Sequence, residues 1–105
     1  MTREEVMMLI KEKTSTFDPS SYNDFLAIQV TLKDLGEAFY VEVKDGKLSI
    51  EPYEYNDRQA NIIMASDKFA KLINKKLDPI LAFTTGQLKI DGSIEKVKEL
   101  VKLFG

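Results

Sequence analysis

The fold is decided by the sixteen residues from Leu77 to Gly92, LDPILAFTTGQLKIDG. Asp78 followed by Pro79 combines a side chain that caps a helix N-terminus with the residue best suited to its first turn. This pair predicts a short helix from Pro79 to Thr85. Gly86 can end that helix, because glycine adopts the positive φ of a helix C-terminus without steric cost.

The second half of this stretch predicts a strand followed by the last helix. Leu88 and Ile90 are separated by a lysine, which is the two-residue period of a strand with one buried face. Asp91-Gly92 supplies the turn that stops the strand, and Ser93 is a favourable N-cap for the next helix. The apolar stripe at helical spacing behind this cap consists of Ile94, Val97, Leu100, Val101 and Phe104.

Alternating apolar side chains upstream predict three further strands, joined as an antiparallel meander. The alternation runs through residues 26–32, 39–43 and 48–50. Asp45-Gly46 lies between the last two runs, and this dipeptide favours a type I′ turn in which both residues adopt positive φ. The second and third strands are therefore predicted to form a β-hairpin.

A first helix and a crossover extend this order. Thr2 and Glu5 have the spacing of a capping box, which predicts a helix from about Arg3 to Lys13. Residues 52–58, PYEYNDR, interrupt the strand pattern. We expect this segment to carry the chain across the sheet to a fourth strand at residues 60–64.

A second helix is predicted from Asp67 to Lys76, with Ser66 as its N-cap and Asn74 as a residue that tolerates positive φ. The complete order is helix, three strands, crossover, strand, two helices, strand and helix. It predicts one α+β domain spanning residues 1–105, with helices on one face of a five-stranded, mainly antiparallel sheet.

The composition excludes several classes of function. The chain has 105 residues, 44% of them hydrophobic and 30% charged, and it contains no cysteine and no histidine. Thiolate nucleophiles, zinc-thiolate sites and histidine-based acid–base catalysis are therefore excluded, and the isolated glycines form no phosphate-binding loop. We expect no enzymatic activity, no catalytic residues, no metal and no cofactor.

Charge and hydropathy narrow the range of partners. A net charge of −2 is opposite to the basic footprint of a nucleic-acid-binding protein. No apolar run approaches the ~20 residues that cross a bilayer, and the acidic start, MTREE, differs from the basic start of a secretory signal. We expect a soluble, cytoplasmic domain that binds no nucleic acid and has no transmembrane segment.

The stretch Leu77–Gly92 resembles the signature of the sterol carrier protein type-two family. In that signature a leucine-aspartate-proline helix start is followed by alanine-phenylalanine, a glycine, a leucine-lysine-isoleucine strand and a closing glycine. The matching residues here are Leu77, Asp78, Pro79, Ala82, Phe83, Gly86, Leu88, Lys89, Ile90 and Gly92. Phe39–Ile50 is similar to the family's hairpin and Ala60–Ile73 to its fourth strand and following helix, so the resemblance covers about Leu26 to Phe104.

The resemblance implies non-enzymatic binding of a hydrophobic ligand in a cavity between the sheet and the C-terminal helices. The ligand classes that it implies are fatty acid, fatty acyl-CoA and other lipids or sterols. The side chains expected to form the cavity wall are Phe83, Leu88, Ile90, Leu100, Val101 and Phe104, with Ile28, Val41, Ile50 and Met64 beneath them.

A second interpretation stays open at this point, because ordinary core packing explains the same apolar residues. The last helix also carries four charged residues, Glu95, Lys96, Lys98 and Glu99, which leave it a single apolar stripe. The alternative function is a protein-interaction or accessory module with the same fold and a filled core. Its surface would be an exposed strand edge or the polar face of the sheet, formed by Tyr40, Glu42, Gln29 and Thr31.

Overall fold

The computed structural model of the protein describes residues 1–104, so the predicted domain end at Gly105 lies outside the described residues. The elements follow the predicted order. They are α1 (Arg3–Lys13), β1 (Leu26–Leu32), β2 (Glu37–Lys44), β3 (Lys47–Glu51), β4 (Ala60–Met64), α2 (Ser66–Ile73), α3 (Pro79–Thr84), β5 (Lys89–Gly92) and α4 (Ile94–Lys102), with a short 3₁₀ helix at Pro19–Ser21.

The five strands form one sheet in the order β3-β2-β1-β4-β5. Strands β1 and β4 pair in parallel at the centre, whereas the other three pairings are antiparallel. Val41 of β2 lies opposite Ile28 of β1 and Ile50 of β3, so apolar side chains align across the same face. The predicted α+β class with a mainly antiparallel sheet is confirmed.

The core lies between this face and the helices. Helices α1, α2 and α4 contribute buried apolar side chains to one cluster with the inward residues of the sheet. Phe39 of β2 and Phe69 of α2 meet edge to face, with ring centroids 6.1 Å apart. The capping box of α1 is present, since the Glu5 N–H donates to Thr2 Oγ1 at 3.1 Å and the Thr2 N–H donates to Glu5 Oε1 at 2.8 Å.

The crossover, residues 52–59, covers the other face of the sheet. The Tyr55 hydroxyl donates to Glu42 Oε2 at 2.6 Å, and the Tyr55 backbone N–H donates to Gln29 Oε1 at 3.0 Å. The hydrogen bond to the Glu42 carboxylate, together with burial, raises the pKa of Tyr55 to about 12. Tyr40 packs edge to face against the Tyr55 ring at 5.0 Å.

This arrangement corrects one of the surfaces considered for a protein-interaction module. Gln29 is 3% exposed, and Tyr40, Glu42 and Thr31 are half-buried. The Gln29 amide donates to Thr31 Oγ1, and the Thr31 hydroxyl donates to an asparagine of β4. The polar face is therefore occupied by the crossover and by its own hydrogen bonds, because buried polar groups need such partners.

Helix α2 differs from the prediction at both ends. Ala65 is its N-cap and Ser66 is its first residue. Asp34, in the β1–β2 turn, accepts from the Ser66 N–H at 2.8 Å and from the Ser66 hydroxyl at 2.6 Å. The helix ends at Ile73, and Lys75 rather than Asn74 adopts positive φ, at 60°.

No helix within residues 1–104 is both long enough and apolar enough to span a membrane.

Candidate functional site

An apolar pocket of about 240 Å³ opens at the β5 end of the sheet. Four elements surround it: α2, α3, β5 with the residue before it, and α4. The lining residues are Leu72, Pro79, Ile80, Phe83, Leu88, Ile90, Ile94, Val97, Lys98 and Val101. Nearly all of this surface is hydrocarbon, so the pocket offers an apolar environment that is partly open to solvent.

Helix α3 stands over one side of the pocket because only a small part of it packs into the core. The Asp78 carboxylate accepts from the Ile80 N–H at 3.1 Å and caps the helix. Of the six residues in α3, Ala82 is the buried one. Gly86 follows the helix with a φ of 80°, and this left-handed residue turns the chain back towards β5.

Helix α4 forms the opposite wall, and Lys96 fixes its position. Ser93 caps the helix by accepting from the Lys96 N–H at 3.2 Å. The Lys96 ammonium lies 2.7 Å from Asp24 Oδ2 and 3.2 Å from Glu99 Oε2. The hydrogen bond to Asp24 is the main cause of a raised pKa of Lys96, and it lowers the pKa of Asp24. Tyr22 completes this cluster by donating its hydroxyl to Glu99 at 3.1 Å.

Lys98 is the ionisable member of the described pocket lining. It follows Ile94 by four residues and precedes Val101 by three, so the three side chains share one face of α4. Its ammonium lies 3.5 Å from Glu95 Oε1, and the two side chains are 65% and 83% exposed. An ion pair this exposed is weak, so the Lys98 ammonium is free to reorient towards an anionic group at the pocket mouth.

The structure brings four of the ten predicted wall residues to the pocket. Phe83, Leu88, Ile90 and Val101 line it. The other six lie away from it and are buried in the core: Leu100, Phe104, Ile28, Val41, Ile50 and Met64. Of these, Ile50 also borders the groove between α1 and β3. A ligand contact at these six residues stays a prediction, because α1, α2 and α4 pack on the centre of the sheet in this structure and the apolar pocket lies beside β5.

Six lining residues were not among the predicted wall residues. These are Leu72, Pro79, Ile80, Ile94, Val97 and Lys98. Ile94 and Val97 belong to the apolar stripe predicted for the last helix, and such a stripe indicates burial without distinguishing core from pocket wall. Ile80 carried a clearer signal, since it precedes Phe83 by three residues and therefore shares a helix face with a predicted wall residue.

Three further depressions in the described part of the chain are more open than this pocket and have a larger polar share in their linings. The largest, about 640 Å³, lies between the end of α1 and β3 and includes Lys11, Ser15, Lys47 and Ser49 beside Phe17, Leu48 and Ile50. Residues 1–104 contain no group of three or more acidic side chains placed to hold a metal ion. The pocket beside β5 is therefore the candidate site, because its lining is almost entirely apolar and it is walled on several sides.

Relatives of known sequence share most of this chain. Over 103 residues it is 29% identical to Hydroxysteroid dehydrogenase-like protein 2 of Mus musculus. The aligned region covers 96% of this chain and 21% of that protein. The chain thus spans about a fifth of the length of the first curated relatives that it matches. Over 101 residues it is 27% identical to Sterol carrier protein 2 of Arabidopsis thaliana, covering 90% of this chain and 82% of that protein.

The fold is also found in a solved structure. Sterol Carrier Protein-2 of Aedes aegypti, in complex with the C16 fatty acid palmitate, matches with a TM-score of 0.74 and 17% identity, over 100% of this chain and 97% of that one. The family model of the SCP-2 sterol transfer family matches residues 22–105, which is most of the chain. The chain therefore belongs to the SCP-2 sterol transfer family.

Proposed function

We propose that the protein binds the hydrophobic part of a lipid in the pocket beside β5 and catalyses no reaction. The observation that carries this proposal is the lining itself, in which nine of the ten residues are apolar or proline. When an apolar ligand covers such a lining and excludes water from it, binding is favoured by about 25 cal/mol per Å² of apolar surface covered.

The side chains at the pocket mouth support the same conclusion. Ile80 is 73% exposed, Phe83 48% and Ile94 46%. Such side chains usually pack into a core when a core is within reach. Here they surround an opening, and contiguous exposed apolar surface is typical of ligand grooves and interaction sites.

The size of the pocket limits what it holds in this conformation. An apolar cavity of about 150 Å³ accommodates a benzene molecule, and this pocket has about 240 Å³. The space suits a segment of an acyl chain better than a complete sterol ring system. We infer a ligand of the fatty acid or acyl-CoA type, with part of its chain enclosed and its head group at the open side.

The proposed contacts follow from the lining. Phe83, Leu88, Ile90 and Val101 contact the chain, together with Ile80 and Ile94 at the mouth. The predicted residues that lie in the core, such as Leu100 and Phe104, act indirectly by supporting α4. The palmitate complex of the Aedes aegypti protein, which has the same fold, is consistent with an acyl chain as ligand.

Two linked measurements test the proposal. Mass spectrometry of an organic extract of the purified protein identifies any lipid that is bound in stoichiometric amount. Displacement of a fluorescent fatty acid from delipidated protein then measures binding of that lipid class. Saturable binding with one site per chain is expected, and a clean extract together with no probe binding would contradict the proposal.

A further inference from the structure

Strand β3 has one open edge, because it is the outermost strand of the sheet beside β2. Lys44 and Lys47 face each other across the two-residue hairpin turn, which makes them a hydrogen-bonded pair, and the next such pair includes Ser49. Leu48 and Ile50 therefore direct their backbone N–H and C=O groups away from β2. Within residues 1–104 no hydrogen bond reaches these outward groups, so the edge can pair with a further strand.

The sequence of β3, KLSIE, is complementary to itself when a second copy runs antiparallel to it. With Ser49 opposite Ser49 of the second copy, Lys47 lies opposite Glu51 and Leu48 lies opposite Ile50. Each outward N–H then meets an outward C=O of the other chain. Opposite charges directly across an antiparallel pair stabilise it further. A shift by two residues keeps the hydrogen bonds but removes the pairing of lysine with glutamate.

Helix α1 carries a second surface of this kind beside the open edge. Glu4, Met8, Lys11 and Ser15 follow one another at spacings of three or four residues, so they share one face of α1. Lys11 and Ser15 border the groove between α1 and β3, so this face is directed towards the open edge. Met8, in the middle of it, is 69% exposed. An apolar side chain flanked by opposite charges therefore accompanies the unpaired strand.

The strand edge and the helix face share one centre. Arg3, at the start of α1, donates to the Pro52 carbonyl oxygen just after β3, whereas the end of α1 borders the start of β3. The helix therefore runs antiparallel to the strand, and Met8 lies about level with Ser49. A twofold axis that relates Ser49 to its copy also brings Met8 towards Met8 of the second copy.

The spacing of the layers suits this contact. Neighbouring strands lie about 4.8 Å apart, and α1 packs over both β2 and β3. When two copies of β3 pair, the two copies of α1 are therefore about 10 Å apart, which is the ordinary distance between packed helices. Because the helices run antiparallel, Glu4 of each copy faces Lys11 of the other.

We propose that the protein forms a twofold symmetric dimer in which two copies of β3 pair antiparallel and two copies of α1 pack beside them. Such an interface uses the same patch of both chains and closes on itself. The two sheets become a single sheet whose outer edges are the two copies of β5. The pocket beside β5 stays open in both copies, so this inference does not rest on the proposed lipid binding.

Analytical ultracentrifugation of the full chain measures the association, and the mean mass is expected to rise from one chain to two between about 10 µM and about 1 mM. Lys47→Glu should weaken dimerisation about tenfold, because both symmetric pairs with Glu51 become repulsive. Adding Glu51→Lys makes the pairs attractive again and should restore the dimer. Both positions are exposed, so the core is unchanged. Lys89→Glu on β5, the other edge strand, is the control and should change dimerisation less than twofold.

A single cysteine tests the centre of the interface, since the parent chain contains none. Residues that face each other in a non-hydrogen-bonded pair have Cα atoms about 4.5 Å apart, within the range that a disulfide bridges. Under mild oxidation Ser49→Cys should form a disulfide-linked dimer in high yield, whereas Lys89→Cys should stay mostly unlinked. Met8→Glu should weaken dimerisation severalfold, because it places two carboxylates near the axis.

A mass of one chain at every concentration, or equal cross-linking of the two cysteine variants, would overturn the proposal. A dimer that Lys47→Glu leaves unchanged, or that the added Glu51→Lys does not restore, would also overturn it. Displacement of the fluorescent fatty acid separates this inference from the proposed function, because Lys47→Glu should keep normal probe binding. Dimerisation without probe binding would contradict the proposed function alone, and probe binding by a chain that stays monomeric would contradict the dimer alone.

Discussion

The backbone N–H of Leu88 donates to the carbonyl oxygen of Ala82 at 3.0 Å, and the N–H of Gln87 donates to the same oxygen at 2.9 Å. This pair of hydrogen bonds joins the middle of α3 to the start of β5. Ala82 and Leu88 are both buried, so the connection is fixed. Ile80 and Phe83, on either side of Ala82, are held at the pocket mouth as a result.

Filling the pocket should abolish lipid binding without unfolding the protein. Val101 is half-buried and lines the pocket, so Val101→Trp places an indole in the space that the ligand needs. We expect at least a tenfold loss of affinity for a fluorescent fatty acid, measured by titration. Leu9→Trp, at a half-buried position on α1, is the control and should bind normally. Unchanged binding by Val101→Trp would show that the ligand lies elsewhere.

Lys98 should distinguish anionic ligands from neutral ones of the same length. An exposed pairing of its ammonium with a ligand carboxylate contributes about 1 kcal/mol at most, or about fivefold in affinity. Lys98→Ala should therefore weaken binding of dodecanoate about three- to fivefold and leave dodecanol unchanged, as measured by calorimetry. Lys102→Ala removes the same charge one turn further along α4 and should affect neither ligand. A parallel loss for both ligands would assign Lys98 a packing role instead.

Gly92, the last residue of β5, should be the hardest to replace of the glycines that the structure describes. A Cβ at this position would lie 2.5 Å from the Gln59 carbonyl oxygen and 2.9 Å from the Ala60 Cα, at a φ of 109°. Gly92→Ala is expected to lower the free energy of unfolding by about 3 kcal/mol, since overpacking and backbone strain add. Gly36→Ala, at a φ of 64° with open space around it, should cost about 1 kcal/mol. Equal losses of unfolding free energy in the two variants, measured by urea unfolding, would contradict the expectation that the close approach of the Gln59 carbonyl makes Gly92 harder to replace.

The carboxylate of Asp34 should make stability depend on pH in the acidic range. The hydroxyl and N–H of Ser66 donate to it and hold its pKa below the ordinary value of 3.8. Because the folded state lowers this pKa, the stabilisation is present above 3.8 and is lost as the pH falls through the folded-state value.

Asp34→Asn should therefore lower the free energy of unfolding at neutral pH, with a deficit that shrinks as the pH falls below about 4. Ser66→Ala removes one of the two donors, so it should raise the pKa of Asp34 in an NMR titration. A deficit for Asp34→Asn that is independent of pH would show that the carboxylate's charge contributes nothing to this cap.

Elements governed by neighbouring residues could be predicted from the sequence. Asp45 and Gly46 adopt φ of 52° and 76° as the hairpin turn requires, and helix α1 begins and ends where its capping box and apolar spacing indicate. The cap of α2 could not be predicted, because its acceptor is Asp34, which lies 32 residues away in the chain. Sequence patterns over a few residues predict hydrogen bonds between near neighbours in the chain. The hydrogen bonds from Ser66 to Asp34 instead depend on the pairing of β1 with β4, which brings the two residues together.

The candidate site could be predicted only in part. Leu88 and Ile90 were placed on the inward face of a strand by their alternation, and both line the pocket. Leu100 and Val101 are neighbours on the same helix, yet one lies fully in the core and the other lines the pocket. Helical spacing identifies both as apolar-face residues, but it does not show which of the two directions meets the sheet and which meets the space beside β5.

The most direct test of lipid binding in this pocket is an NMR titration of delipidated, isotopically labelled protein with dodecanoate. We expect saturable shifts of the backbone signals of Leu72, Phe83, Ile90 and Val101, with those of Leu48 and Ile50 in the groove beside β3 unchanged. Shifts confined to that groove, or no shifts at all, would contradict this expectation.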